Sequence, residues 1–336
     1  MTLTKETFTG IWAGLPVGWT ADDQFDEKIY RGDVARCCRI GAAGVYTGGT
    51  SGEFYAMEFD EFQAVARATV EECHANETPS MIGCTSTCTR SAVRRAEFAA
   101  RIGADAVQVA LPFWMTVDDK EVVGFFKEVA DAAGDAALSV YETNRAKKVL
   151  TFDQHRAIKD AISSYLMVKA NEGPGCTPEG CKAMSEFVNV FVSEELLTKL
   201  GRAGAMGSCS SLIYYNPRLM LRLWSNVVNQ RWDEAERDCH DIGRLFDFFN
   251  RHFAQRGFED AAFDKMGGVA GGFLKTSLKG RGPYPSATEH DVEALRSWYS
   301  QHWPEMLNCG EQYDQPHCVV TTRRPVRHRK PATSAP

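Results

Sequence analysis

The chain has 336 residues, of which 44% are hydrophobic and 24% charged, a composition that supports a large core and excludes a disordered or low-complexity polymer. The formal net charge is −6, and Arg323, Arg324, Arg327, Arg329 and Lys330 stand together after Gln315 with no acid among them. The remainder is therefore more acidic than the total suggests, which argues against duplex nucleic acid as a partner.

Taken in chain order, eight short apolar, β-prone runs punctuate the first two thirds: Gly10 to Val17, Ala43 to Thr47, Ser80 to Cys84, Ala106 to Leu111, Ala136 to Tyr141, Leu166 to Ala170, Val188 to Ser193 and Ala203 to Cys209. Between them lie segments with helical spacing of apolar residues, such as Phe59, Phe62, Val65, Ala66, Thr69 and Val70, and again Val122, Val123, Phe125, Phe126, Val129 and Ala130. Several strand runs are apolar almost throughout, as expected when both faces of a strand are covered. After Ser211 the alternation stops. Trp232, Ala235, Cys239, Ile242, Leu245, Phe246, Phe249 and Phe253 recur at three and four, and a further helix is expected from about Thr288 to Ser300, beyond Pro283 and Pro285.

Eight strand and helix units predict an α/β protein with a (β/α)8 TIM barrel and a C-terminal helical appendage. A doubly wound sheet uses the same alternation, but its Gly-x-Gly-x-x-Gly turn is missing after Val17, and the glycines from Gly267 to Gly272 read as a loop or helix connector. The expected division is a barrel over 1–210, a helical region packed on it over 211–310, and a flexible, basic, Pro-rich tail over 311–336.

Eleven cysteines, an odd number that includes the adjacent Cys37 and Cys38, do not resemble a disulfide framework and are expected to be reduced. Cys84 and Cys88, like Cys176 and Cys181, lack the further ligands a zinc site needs, so no metal is expected. The N-terminal MTLTKETFTG carries no basic segment followed by an apolar one, and no apolar run reaches about 18 residues. A cytoplasmic protein without a membrane partner is the expectation.

In such a barrel the reacting groups belong at the C-terminal ends of the strands. The second run ends in Thr47-Gly48-Gly49-Thr50-Ser51-Gly52-Glu53, a turn of small residues with two adjacent hydroxyls that suits a carboxylate. The sixth run ends at Lys169. A lysine in so apolar a strand either snorkels to the rim or serves as an amine whose pKa burial depresses. At its ordinary pKa only on the order of a thousandth of the amine is neutral near pH 7, and a depression of about two to three units would make it a useful nucleophile. Tyr141 ends the neighbouring fifth run, about 4.8 Å away across a parallel sheet, and is either a proton relay or a core tyrosine.

Together Gly49-Thr50-Ser51-Gly52-Glu53, the Tyr141 strand, Lys169 and Gly204-Ala205-Met206-Gly207 resemble, in order and spacing over about residues 8 to 310, the dihydrodipicolinate synthase and N-acetylneuraminate lyase superfamily of class I aldolases. The resemblance implies that Lys169 forms a Schiff base with pyruvate or another 2-oxo acid, that Tyr141 relays protons, that Thr50 and Ser51, with Gly49, hold the carboxylate and assist the relay, and that Gly207 lies against the substrate. It implies no organic cofactor and no metal, an aldehyde as the second reactant, and a homo-oligomer, dimer or tetramer.

Three departures narrow the choice. Leu111-Pro112-Phe113-Trp114 replaces the family's proline and two tyrosines, Ala146 stands where synthases place an arginine, with Arg145 one residue early, and the fifth strand continues as Tyr141-Glu142-Thr143-Asn144. The first two count against lysine biosynthesis. Phe113 and Trp114 offer flat apolar contact, a pattern similar to that of hydratase-aldolases acting on aryl-substituted 2-oxo acids, or else serve core or subunit packing. Aldol cleavage or condensation is thus the leading expectation. Dihydrodipicolinate synthase-type or 2-keto-3-deoxy sugar acid dehydratase activity is the alternative within the class, and a non-catalytic 2-oxo acid binder or regulator the alternative outside it.

Overall fold

The computed structural model describes residues 2–310 and Tyr313. Eight parallel strands close in chain order into one barrel: β1 (Gly10–Gly14), β2 (Gly44–Thr47), β3 (Ser80–Gly83), β4 (Ala106–Val109), β5 (Ala137–Glu142), β6 (Tyr165–Ala170), β7 (Asn189–Phe191) and β8 (Gly207–Ser210). Each strand lies in or overlaps one of the eight apolar runs. The last begins later than expected because Ala203 to Met206 form a turn, with Gly204 at φ +106 and Ala205 N–H donating to the Leu200 carbonyl at 2.9 Å.

Helices α1 (Glu27–Arg39), α2 (Phe59–Ala75), α3 (Thr89–Arg101), α4 (Val122–Ala133), α5 (Phe152–Ala161), α6 (Pro178–Met184) and α7 (Leu197–Gly201) follow the first seven strands in turn. After β8 come α8 (Leu212–Tyr215), α9 (Pro217–Val228), α10 (Trp232–Phe253), α11 (Asp260–Ala270) and α12 (Glu289–His302). Thr288 caps α12 through a reciprocal box with Asp291, where the sequence placed its start. Gly267 and Gly268 sit inside α11 and not in a connector. A Cβ at Gly267 would lie 2.0 Å from the Tyr215 ring, so glycine lets α11 press onto α8. Of the expected tail over 311–336, only Tyr313 lies within the described residues, packed edge-on against Phe273 at 5.7 Å.

The pleat sorts side chains into two cores. Outward residues meet the helices in one large apolar cluster. Inward residues Trp12, Met81, Met167 and Phe191, with Phe8 beneath them, fill the lower barrel, and the Phe8 ring packs tilted against Trp12 at 4.8 Å. The barrel is therefore plugged at its N-terminal end and open only at its mouth. On β6, Met167 faces inward, so Lys169 two residues on does too. On β5, Ser139 bonds Gln108 across the interior at 3.0 Å, which turns Tyr141 inward by the same alternation.

Candidate active site

Tyr141 and Lys169 occupy opposed positions in the β5 and β6 register, and the Lys169 Nζ lies 4.3 Å from the centre of the Tyr141 ring and 6.0 Å from that of Tyr46. Lys169 is half-buried, with its exposed part in a cavity of about 410 Å³ that it shares with Ser51, Asn171, Ser193, Cys209 and Asp264. A second cavity of about 220 Å³ adjoins it, lined by Tyr141, Phe54, Tyr55, Phe113, Arg145 and Tyr284. Thr50 lines both, and Gly49 lines the second. A Cβ at Gly49 would sit 2.1 Å from the Tyr46 hydroxyl, so only glycine lets the turn come down on the barrel mouth.

Lys169 differs from expectation in one respect. Burial is the largest single influence on its ammonium and pulls the pKa down, but Tyr141, Cys209, Asp260 and Glu194 in their anionic forms together outweigh it, and the net shift is upward. The sequence shows the apolar strand but not the acids that surround its end. Cys209 is itself pushed up to about 11 by burial and is a neutral thiol at neutral pH.

Two predicted residues stand apart from the cavities. Gly207 is at the lower end of β8, where a Cβ would come within 2.2 Å of the Gly10 carbonyl; its smallness serves closure of β8 on β1. Trp114 is 73% exposed and stands outside both cavities; Lys147 Nζ donates to its carbonyl at 2.8 Å.

Several groups escaped the sequence reading. Asn171 donates its Nδ2–H to the Tyr141 phenol oxygen at 3.2 Å and so orients it; the two-residue step from Lys169 was the signal for its inward position. Glu194 accepts from the Ser211 N–H at 3.0 Å, holding the start of α8 at the mouth. The appended helices form the roof: Phe246, Phe249 and Asn250 of α10 and Asp260, Phe263 and Asp264 of α11 face the Lys169 cavity. Arg145 is pinned to Asp260 at 3.0 Å and Glu259 at 3.4 Å.

The turn after β2 is held by Glu53, which adopts the left-handed conformation at φ +54, an uncommon one for a side chain of this kind. Its buried carboxylate accepts from Trp19 Nε1 at 2.8 Å, Lys265 Nζ at 2.6 Å and the Arg281 N–H at 2.6 Å. A 3₁₀ turn, Phe54–Ala56, follows, and α2 begins only at Phe59. Behind the site, Glu142 bonds His155 at 3.0 Å, whose other ring nitrogen meets the Tyr165 hydroxyl at 2.9 Å, which ties the end of β5 to the start of β6.

The ten cysteines among the described residues are all free. Among those residues no group of three or more His, Cys, Asp or Glu is placed to hold a metal ion, and no helix is long and apolar enough to cross a membrane.

The molecule thus falls in the class of (β/α)8 barrels that carry a lysine and a tyrosine on neighbouring strands at the mouth. More narrowly, the model of the dihydrodipicolinate synthetase family matches residues 7–272, and the chain belongs to that family. It is 29% identical over 153 residues to the trans-o-hydroxybenzylidenepyruvate hydratase-aldolase of Pseudomonas aeruginosa, a match covering 44% of this chain and 46% of that protein; the chain spans about half the length of that relative. It is 31% identical over 226 residues to the 4-hydroxy-tetrahydrodipicolinate synthase of Rhizorhabdus wittichii, covering 64% of this chain and 74% of that one. The structure of YagE from E. coli K12, a member of the same family solved with pyruvate, superposes with a TM-score of 0.78 at 20% identity over 88% of this chain and 98% of that one, a likeness of fold.

Proposed function

We propose that the protein is a class I lyase that forms an imine between Lys169 and pyruvate or another 2-oxo acid, and that it makes or breaks the C3–C4 bond to an aldehyde. The observation that carries this reading is the pairing of Lys169 with Tyr141 at the mouth, the amine opening into a polar cavity and the phenol into an aromatic one. Membership of a family whose relatives include a hydratase-aldolase, and a related fold solved with pyruvate, supports it.

Because Lys169 favours its ammonium form, it must lose a proton before attack, and Tyr141, held by Asn171 across the sheet, relays it: the phenol oxygen accepts the Lys169 proton as it passes its own on to solvent. The neutral amine adds to the ketone carbon to give a carbinolamine. Water leaves with a proton from Tyr141, and the protonated imine remains. In the cleavage direction the C4 hydroxyl gives its proton to Tyr141, the C3–C4 electron pair flows into the imine, and the aldehyde departs. The resulting enamine is protonated at C3, and water hydrolyses the imine to restore Lys169 and release the 2-oxo acid. Thr50 and Ser51, with Gly49, hold the carboxylate. No cofactor and no metal enters this scheme.

The adjoining cavity accounts for the second reactant. Its one guanidinium, Arg145, is already neutralised by Asp260 and Glu259, while Phe113 meets Phe54 edge-on at 5.9 Å and Tyr55 meets Tyr284 at 4.9 Å. An uncharged aryl aldehyde suits this lining better than an anionic one. Assembly as a dimer or tetramer is part of the reading, with Trp114 and Met115, each 73% exposed, as the apolar surface available for it. Free thiols suit the reducing cytoplasm.

The test is to incubate the protein with pyruvate, reduce with borohydride and weigh it. The expected mass gain is that of one reduced pyruvate adduct, lost in Lys169→Ala. An unchanged mass for the native chain would overturn the proposal.

A further inference from the structure

Arg145 stands in the short turn Asn144–Ala146 that leaves β5, and it reaches the wall of the smaller, aromatic cavity. Its guanidinium is already occupied there. Nη1 donates to one oxygen of Asp260 at 3.3 Å, and Nη2 donates to the other at 3.0 Å and to Glu259 at 3.4 Å. Both acids come from the start of α11, 114 and 115 residues further along the chain, so an appended helix and not the barrel decides what this arginine is free to bind. Two carboxylates against one guanidinium leave the wall with a negative charge in excess. Glu259 itself lines the cavity, and among the described residues the rest of the lining is uncharged.

We infer that Glu259 and Asp260 are specificity-determining residues acting through Arg145: they fill its fork with the protein's own carboxylates, turn away aldehydes that carry a carboxylate of their own, and reserve the cavity for uncharged aryl partners. The inference rests on the aldol reading above. An arginine alone on this wall would recruit an anion, because its planar fork presents two parallel N–H groups that match a carboxylate. Asp260 takes both of those donors, one on each of its oxygens. An incoming anion therefore meets excess negative charge without the donor pair it needs, and displacing Asp260 would leave that carboxylate unpaired beside it. An uncharged ring makes no such demand and packs against Phe54, Phe113 and Tyr284. Selectivity is a difference between two affinities, and here the acids act on the unwanted one.

Condensation of pyruvate with 3- and 4-carboxybenzaldehyde, each set against the uncharged nitrobenzaldehyde of the same shape, tests this in the full-length native chain, in Glu259→Gln with Asp260→Asn, and in that double variant with Arg145→Gln added. The ratio of kcat/KM, carboxyl over nitro, removes effects common to both rings, any change at the Lys169 amine included. In the native chain the ratio should be about a hundredth or less. In the double variant it should rise at least about tenfold for one of the two isomers, through a lower KM, and adding Arg145→Gln should cancel the rise. Asp260→Asn alone keeps the test decisive if the double variant does not fold. With a normal borohydride adduct, a native ratio near one, a ratio unmoved by removal of the acids, or a rise that survives Arg145→Gln would each overturn this inference and leave the imine intact. An adduct without turnover of any of these rings would overturn the aryl assignment and this inference with it, and no adduct at all would overturn the imine reading itself.

Discussion

Among the described residues, Lys265 and Lys169 both enter the interior, and their surroundings differ in kind. Lys265 is fully buried, 2.6 Å from the Glu53 carboxylate, and also donates to the Lys279 carbonyl at 2.5 Å; burial nonetheless pulls its pKa below the ordinary value. Lys169 is only half-buried. Its amine lies beside aromatic rings at the edge of an open cavity, and its pKa is raised by acids arranged around that cavity. A lysine buried between a carboxylate and a carbonyl is part of the frame, whereas one left facing open space has a hydrogen-bonding capacity that a substrate can use. Burial alone, the criterion that singled out Lys169 in the sequence, fits Lys265 better.

The sharpest way to test this contrast is to remove each amine in turn. Lys169→Ala should keep its fold by circular dichroism while turnover falls by on the order of 10³ to 10⁶; residual trapping on this variant would place the nucleophile elsewhere. Tyr141→Phe should lower kcat by about 10² to 10⁴ with an unchanged melting temperature. Lys265→Met should do the opposite, costing about 3–5 kcal/mol in urea unfolding by stranding the Glu53 carboxylate, and adding Glu53→Gln should recover part of that loss. If Lys265→Met proved as stable as the native chain, the ion pair would not be the frame described here.

Smaller effects separate the two cavities. Phe113→Ala should lower kcat/KM for an aryl aldehyde about tenfold to a hundredfold and leave a small aliphatic aldehyde nearly unaffected; equal losses for both would remove Phe113 from the aromatic wall. Asp264 gives the mildest prediction. Its folded pKa of about 7 lies above the ordinary 3.8, so the folded state holds the proton more tightly. The stability contributed by that proton is complete below about pH 4 and is lost as pH rises toward 7. Asp264→Asn should therefore gain on the native chain in urea midpoint between pH 5 and pH 8, and a constant difference would refute the shift.

What the sequence made legible was local and periodic. The eight apolar runs exposed the strands, and the alternation within LMVKA and LSVYE pointed Lys169 and Tyr141 to one place. What it hid was brought together from afar. Asp260 and Asp264 lie in an ordinary helical pattern, and nothing local marks them as the roof of a cavity more than 90 residues from Lys169. Asp260 joins Tyr141, Cys209 and Glu194 in reversing the expected direction of the Lys169 shift. Gly207 shows that smallness has a second use, since here it admits the neighbouring strand β1. Trp114 shows the converse, since an aromatic residue after a proline at a strand end need not turn into the site.

The carboxylate at position 53 meets its lysine 212 residues further along the chain and the backbone of Arg281 later still. During synthesis the turn that bears Thr50 and Ser51 therefore emerges long before the groups that fix its left-handed residue. All eight strands can be complete while that turn still lacks its clamp. A polypeptide released before Arg281 would lack that backbone donor to Glu53, together with the α12 side chains Val292, Leu295 and Tyr299 that complete the outer core.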